Sequence, residues 1–213
     1  MPHQTASGVP AHWTAAPSRA APLQRHFVNK TIVPGFTFGV LRREFAGLVN
    51  DTVVFGWSKL HPIRPVADPA KPGQRIWQPT AARHDVLLPA LAPDLMRDPR
   101  RLFETFEEQA VVRQDDLAVT IKLTFDNTLA LHSCWERARA FARTHLVVAH
   151  GLPTLIVLHV PSCSGMRQPS APHIHLVTLS RTLDAHGFGA FCRIARDEAH
   201  PVLAEAWRGS GSQ

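Results

Sequence analysis

A run of residues near the C-terminus constrains the fold most strongly. Residues 171–181, Ala-Pro-His-Ile-His-Leu-Val-Thr-Leu-Ser-Arg, read as a strand, and every second side chain of a strand points to the same face of its sheet. His173 and His175 therefore share one face. A second apolar run, residues 155–159, ends in His159 and precedes a loop that contains proline, serine and glycine. If the two runs are antiparallel neighbours, three imidazoles meet at one place.

Three histidines at one place are a candidate site for a divalent metal. Neutral imidazole binds zinc, manganese, iron and nickel, and three protein ligands leave coordination positions for water or substrate. The hypothesis requires His159, His173 and His175 to converge within about 5 Å. An interpretation without a metal stays open. With 13 histidines among 213 residues some chance pairs are expected, and a histidine pair on a strand also occurs as a half-buried polar stripe.

The segments before these runs predict an α+β fold. Asp98 as N-cap and Pro99 at the first helical position predict a helix that continues to about Leu117. Residues 119–125 alternate as a strand does, and residues 133–149 carry an apolar stripe at helical spacing. The order is then helix, strand, helix, strand, strand. We expect a central antiparallel sheet with helices packed against it, over one face.

The length favours one domain with loose ends. Residues 1–25 are rich in alanine, proline, serine and threonine without a period, and predict a disordered leader. Residues 26–208 are expected to form a single domain, and residues 209–213 a loose tail. Between residues 61 and 93, seven prolines exclude a long helix and predict a loop with short strands.

Charge and cysteine content bear on the partner and the compartment. Lysine and arginine outnumber aspartate and glutamate by 23 to 17, giving a formal net charge of +6 and a pI near 10.0. This excess favours a polyanionic partner. Three widely spaced cysteines fit neither a disulfide framework nor a paired-cysteine zinc site, and no apolar run approaches the ~18 residues of a membrane span. We therefore expect a cytoplasmic protein without a membrane segment.

The second half of the chain resembles the MobA/MobL family of plasmid-mobilisation relaxases. The resemblance rests on order as well as content: a helix, a glycine, a strand ending in His159, a loop, Pro-His-Ile-His at 172–175, Thr-Leu-Ser-Arg at 178–181 and Gly-Phe-Gly at 187–189. Upstream, residues 102–107, Leu-Phe-Glu-Thr-Phe-Glu, are similar to a family helix in which a glutamate follows a Leu-Trp pair. The resemblance covers about residues 85–208.

The resemblance implies a relaxase with the fold of the three-histidine (HUH-type) endonucleases. Such an enzyme is metal-dependent, nicks one DNA strand at a plasmid transfer origin and stays joined to the 5′ phosphate. His159, His173 and His175 would hold a divalent cation, Mg²⁺ or Mn²⁺ in the first place and Zn²⁺ as the alternative, which would polarise the scissile phosphate. The implied partners are single-stranded DNA and accessory mobilisation proteins.

Further site residues follow from the resemblance and from charge. Glu107 falls on the family glutamate and is a candidate to orient a ligand histidine, with a solvated or helix-pairing carboxylate as the alternative. Candidates for contacts with DNA phosphates are Arg42, Arg43 and Arg181, the last of which is equally well explained as a surface arginine. Candidates for stacking on bases are Trp57, Trp77 and Phe188.

One departure from the family affects catalysis. Relaxases of this kind attack with a tyrosine near the N-terminus, within an Ala-Ala-Tyr-Arg segment, and this chain contains no tyrosine. The best counterpart, residues 39–43, has a leucine or an arginine at that position, and Ala110 replaces a second family glutamate. Either His61, Ser58 or a water molecule on the metal is the nucleophile, or the domain has lost strand transfer and keeps metal and DNA binding.

Three function classes stay open at this point. The first is a relaxase-like transesterase or nuclease, and the second is a non-catalytic DNA-binding remnant. The third is an unrelated three-histidine metalloenzyme that acts on a small molecule within an enclosed pocket. Because family members continue into further regions, the end of the chain soon after Trp207 favours a truncated gene product.

Overall fold

A six-stranded antiparallel sheet forms the centre of the molecule. The computed structural model describes residues 26–28, 33–65, 73–111, 114–125, 129–161 and 171–210. The strands of the sheet are β1 (His26–Val28), β2 (Phe36–Arg42), β5 (Arg83–Leu87), β6 (Asp116–Thr124), β7 (Thr154–His159) and β8 (His173–Leu179). Their spatial order is β1-β2-β6-β8-β7-β5, and each neighbouring pair is antiparallel.

Two hairpins and the helices complete the described part of the fold. The hairpins pair β3 (Glu44–Phe45) with β4 (Leu48–Val49) and β9 (Arg181–Asp184) with β10 (Gly187–Phe191). The α-helices are α1 (Thr52–Leu60), α2 (Pro99–Glu108), α3 (Leu131–Ala142) and α4 (His200–Gly209). A helix long and apolar enough to cross a membrane is not found among the described residues.

Helices cover both faces of the sheet. Ile156 and Ile174 pack on one side in the core that includes residues of α3 and α4, whereas Leu155, Val157 and Val177 pack on the other side with residues of α1 and α2. Every residue of β7 and β8 is buried, and a strand buried on both sides needs a covering layer on each. The predicted α+β fold is confirmed, but the expectation of helices over one face is wrong.

The first predicted helix begins where expected and ends early. The Asp98 side chain accepts a hydrogen bond from the Arg100 amide at 2.8 Å, and Pro99 is the first residue of α2. The helix ends at Glu108, whereas Leu117 lies in β6. The position of Leu117 continues the helical spacing of apolar residues in α2. The residue is nevertheless part of β6, which is hydrogen-bonded to both β2 and β8. Pairing on two sides therefore outweighs the local pattern.

The remaining predicted segments are largely confirmed. The second helix runs from Leu131 through α3 and a π-helical turn, Arg143–Val148, in place of the expected 133–149. The proline-rich stretch contains the short strand β5, as expected. The predicted leader lies outside the described residues, and Gly209, assigned to the predicted tail, is the last residue of α4.

Candidate metal centre

Strands β7 and β8 bring the three predicted histidines together. His159 pairs directly with His173 across the two strands, and His175 lies two residues further along the same face. The ring centroids are 4.8 to 5.2 Å apart, and one nitrogen of each ring lies within 4.8 Å of the others. The expected convergence within about 5 Å is therefore confirmed.

Main-chain carbonyls orient two of the three rings. His159 donates from Nε2 to the Lys59 carbonyl oxygen at 2.7 Å, and His173 donates from Nδ1 to the Ala171 carbonyl oxygen at 2.9 Å. The Lys59 carbonyl is one of the last in α1, where carbonyls have no partner within the helix. A neutral imidazole that donates from one nitrogen has its lone pair on the other, so both rings keep one nitrogen available as a ligand.

Burial keeps the three imidazoles neutral. Burial lowers the pKa of His159 to about 4, although the hydrogen bond to Lys59 acts in the opposite direction. Burial also lowers the pKa of His173, and it lowers the pKa of His175 well below its ordinary value. At neutral pH the cluster therefore presents uncharged nitrogen lone pairs, the form that binds metal ions.

The residues present fit a divalent cation. Nδ1 of His175 is buried and has no hydrogen-bond partner among the residues that the structure describes. An unpaired buried nitrogen is costly unless a ligand satisfies it. Neighbouring ligands of a metal with bonds of about 2.1 Å lie about 3.0–3.4 Å apart, so nitrogens separated by 4.8 Å would have to approach by about 1.5 Å. Three nitrogen donors would then leave positions open for an oxygen ligand.

Two lysines that the sequence analysis did not single out lie beside the histidines. The main-chain carbonyl of Lys59 holds His159, and Lys122 of β6 is in direct register with His175. The positive charges of both lysines contribute to lowering the pKa values of all three histidines. The available signal for Lys122 was its position as the single charged residue in the strand pattern of residues 119–125.

Glu107 lies at a different place from the histidine cluster. Its Oε1 accepts hydrogen bonds from the amide and the hydroxyl of Thr52, both at 2.7 Å, and its Oε2 pairs with Arg43 at 2.8 Å. Thr52 begins α1, whereas the contact with His159 is made by Lys59, seven residues further along. Seven residues correspond to about 10 Å of helix. Glu107 therefore stabilises the start of α1. The structure does not place it beside a ligand histidine.

The three arginines predicted to contact DNA are engaged within the protein. Arg42 pairs with Asp116 and Asp197, and Arg43 pairs with Glu107. Arg181 is buried and donates to the carbonyls of Gln109, Phe188 and Gly189. The guanidinium of Arg181 thus links β9, β10 and the end of α2. A phosphate contact through Arg181 would have to replace these hydrogen bonds.

The position assigned to the family tyrosine is distant from the cluster. Leu41 is fully buried and pairs with Ala118, four residues along β6 from the partner of His175. This register separates Leu41 from His175 by about 13 Å along the strands and about 10 Å across them. Neither Leu41 nor the following Arg42, which pairs with Asp116 still further along β6, therefore lies beside the histidines.

The other nucleophile candidates lie nearer the cluster, at the end of α1. Ser58 donates to the Phe55 carbonyl at 2.7 Å. Both ring nitrogens of His61 face carbonyl oxygens, those of Trp57 at 2.8 Å and Gln78 at 2.9 Å. His61 is therefore held on both sides and offers no free nitrogen as a nucleophile.

The predicted stacking residues differ in their accessibility. Phe188 is buried and packs edge-on against Phe106, so it belongs to the core and offers no stacking surface. Trp57 and Trp77 are half-buried. Trp57 stacks on His61 with ring centroids 4.4 Å apart.

Comparisons with known proteins agree with this fold. Among solved structures, it is similar to a chain described under "Molecular Basis of Vancomycin Resistance Transfer in Staphylococcus aureus", with a TM-score of 0.62 and 16% identity over 87% of this chain and 90% of that chain. Among curated proteins there is no match. The profile of the MobA/MobL family matches residues 78–206, which include the three histidines. This match spans more than half of the sequence, and the chain therefore belongs to the MobA/MobL family.

Proposed function

We propose that this domain binds a divalent cation at the three histidines and a single strand of plasmid transfer-origin DNA beside that cation. The observation that carries the proposal is the convergence of His159, His173 and His175 as buried, neutral ligands. Membership of a plasmid-mobilisation family and the net charge of +6 support DNA as the ligand. The same membership argues against an unrelated metalloenzyme that acts on a small molecule.

The three histidine nitrogens favour some divalent cations over others. Three imidazole nitrogens suit Mn²⁺ and Zn²⁺ better than Mg²⁺, which prefers oxygen ligands and keeps several waters. We therefore propose Mn²⁺ before Mg²⁺, with Zn²⁺ as the alternative. When bound, the cation would polarise a phosphodiester and offset negative charge on its oxygens. The carbonyls of Lys59 and Ala171 would keep two ligand rings in position.

The proposed function contains no covalent protein–DNA intermediate. The chain has no phenol, Leu41 is remote from the histidines, and His61 is held between two carbonyls. DNA binding without strand transfer is therefore the function that these residues support best. Hydrolytic nicking by water is the second candidate, because the three-histidine ligand set is complete although the tyrosine is absent.

Incubation of the full chain with a labelled single-stranded oligonucleotide tests the proposal. We expect binding that increases with Mn²⁺, weakens with salt and leaves no adduct on a denaturing gel. The double variant His173→Ala, His175→Ala should lose the Mn²⁺-dependent part, whereas His150→Ala, on the opposite helical layer, should keep it. Absence of binding at low salt with Mn²⁺ would overturn the proposal, and so would an adduct. Cleavage without an adduct would establish the second candidate.

A further inference from the structure

Lys122 lies beside the metal centre and has no acidic partner among the residues that the structure describes. In antiparallel strands, directly paired residues have Cβ atoms about 5 Å apart, and Lys122 is paired with His175. Its side chain is half-buried, and within the described ranges it forms no ion pair. Arg42 and Arg43 differ in this respect, because each has a carboxylate partner. The ammonium group of Lys122 is therefore available to an anionic ligand.

Among the described residues, the cross-strand row that contains Lys122 has an exposed residue at each end. The register aligns Thr37, Lys122, His175, Val157 and His84 across five neighbouring strands. Thr37 and His84, at the two ends, are exposed, whereas His175 and Val157 are buried. Four strand spacings correspond to about 19 Å. Within the described part of the chain, the row is therefore more exposed on the Lys122 side, toward Thr37, than at His175.

The charges around the cluster disfavour a cation that binds alone. A divalent cation adds two positive charges to a site that already has Lys122 and Lys59 as neighbours, and its three ligands are neutral. Like charges repel, whereas a phosphodiester placed between the cation and an ammonium group attracts both. The same lysine therefore weakens binding of the bare cation and strengthens binding of the phosphate.

We infer that Lys122 contacts a non-bridging oxygen of the phosphodiester at the three-histidine site and thereby couples cation binding to DNA binding. The inference rests on the proposed function, because it takes single-stranded DNA as the ligand. Coupling between two ligands is reciprocal, so DNA must raise the affinity for the cation by the factor by which the cation raises the affinity for DNA. The site then holds its metal firmly only when the nucleic acid is present.

Titration of the full chain with Mn²⁺, with and without a single-stranded oligonucleotide, tests this coupling. Without DNA, Lys122→Met should bind Mn²⁺ about tenfold more tightly than the wild type, as Coulomb's law gives for charges of +1 and +2 about 6 Å apart in a water-like dielectric. Its affinity for the oligonucleotide should fall about tenfold, and the slope of log affinity against log salt should decrease by about 0.7. Lys122→Arg should keep most of the coupling.

The matched control is Arg143→Met, which removes one positive charge from an exposed residue on the opposite helical layer. It should leave Mn²⁺ binding unchanged. Thermal melting checks folding, and Lys122→Gln replaces the methionine variant if that variant melts early. If Lys122 variants bind Mn²⁺ and the oligonucleotide as Arg143→Met does, the inference is wrong while the proposed function stands. If the wild type binds no oligonucleotide, the proposed function fails, and the Mn²⁺ titration without DNA still decides whether Lys122 repels the cation.

Discussion

Acidification of the metal-free protein should lower its free energy of unfolding, because His159 is buried as a neutral ring. Burial lowers the pKa of His159 in the folded state to about 4, whereas an unfolded histidine titrates near 6.5. Below pH 6.5 the unfolded chain therefore binds a proton that the folded chain does not. Stability is complete above this range and is lost as the pH falls from about 6.5 toward 4. Because pH 5 lies about 1.5 below the unfolded pKa of 6.5 and above the folded pKa, this residue lowers the free energy of unfolding there by about 2 kcal/mol.

Urea unfolding in the presence of a chelator, at pH 7.5 and pH 5, measures this effect. Carboxylates also titrate in acid, so the informative quantity is the difference between the wild type and His159→Asn, which keeps a side-chain donor without a titratable ring. We expect the variant to lose about 2 kcal/mol less than the wild type between the two pH values. An equal loss in both proteins would refute the argument that His159 is held neutral by burial.

Substitutions at three further positions have expected outcomes. Glu107→Gln should lower the free energy of unfolding by about 1–2 kcal/mol in urea melts, through loss of the Arg43 pair, and should leave the Mn²⁺ affinity unchanged in calorimetry. Arg181→Met should cost about 3 kcal/mol, because three carbonyls lose their donor, and Arg181→Lys should not restore the stability since a lysine lacks the planar fork. Leu41→Tyr should form no DNA adduct on a denaturing gel, because the register places that position far from His175; an adduct would show that the two positions meet.

The histidine cluster was predictable from the sequence because it depends on local rules. A strand has a period of two, which fixed the common face of His173 and His175, and the hypothesis of an antiparallel pair added His159. The sequence also identified the start of α2 correctly, since an Asp-Pro pair at a helix start acts through its own backbone neighbourhood.

The errors arose where tertiary pairing decides the outcome. The end of α2 depended on pairing of β6 with two other strands, and the second helical layer depended on strands that are buried on both sides. The role of Glu107 could not be predicted from its sequence neighbours, because its partners Thr52 and Arg43 are more than 50 residues away in the chain. Lys122 was missed for the same reason, since its relation to His175 is a matter of register.

Pulsed electron paramagnetic resonance of bound Mn²⁺ tests the central claim most directly, because nitrogen couplings report imidazole ligands. The full chain with a single-stranded oligonucleotide and Mn²⁺ should show histidine nitrogen couplings. These should disappear in the variant His173→Ala, His175→Ala and persist in His150→Ala. A bound Mn²⁺ without nitrogen couplings, or couplings that survive the double substitution, would contradict the assignment of His159, His173 and His175 as the metal centre.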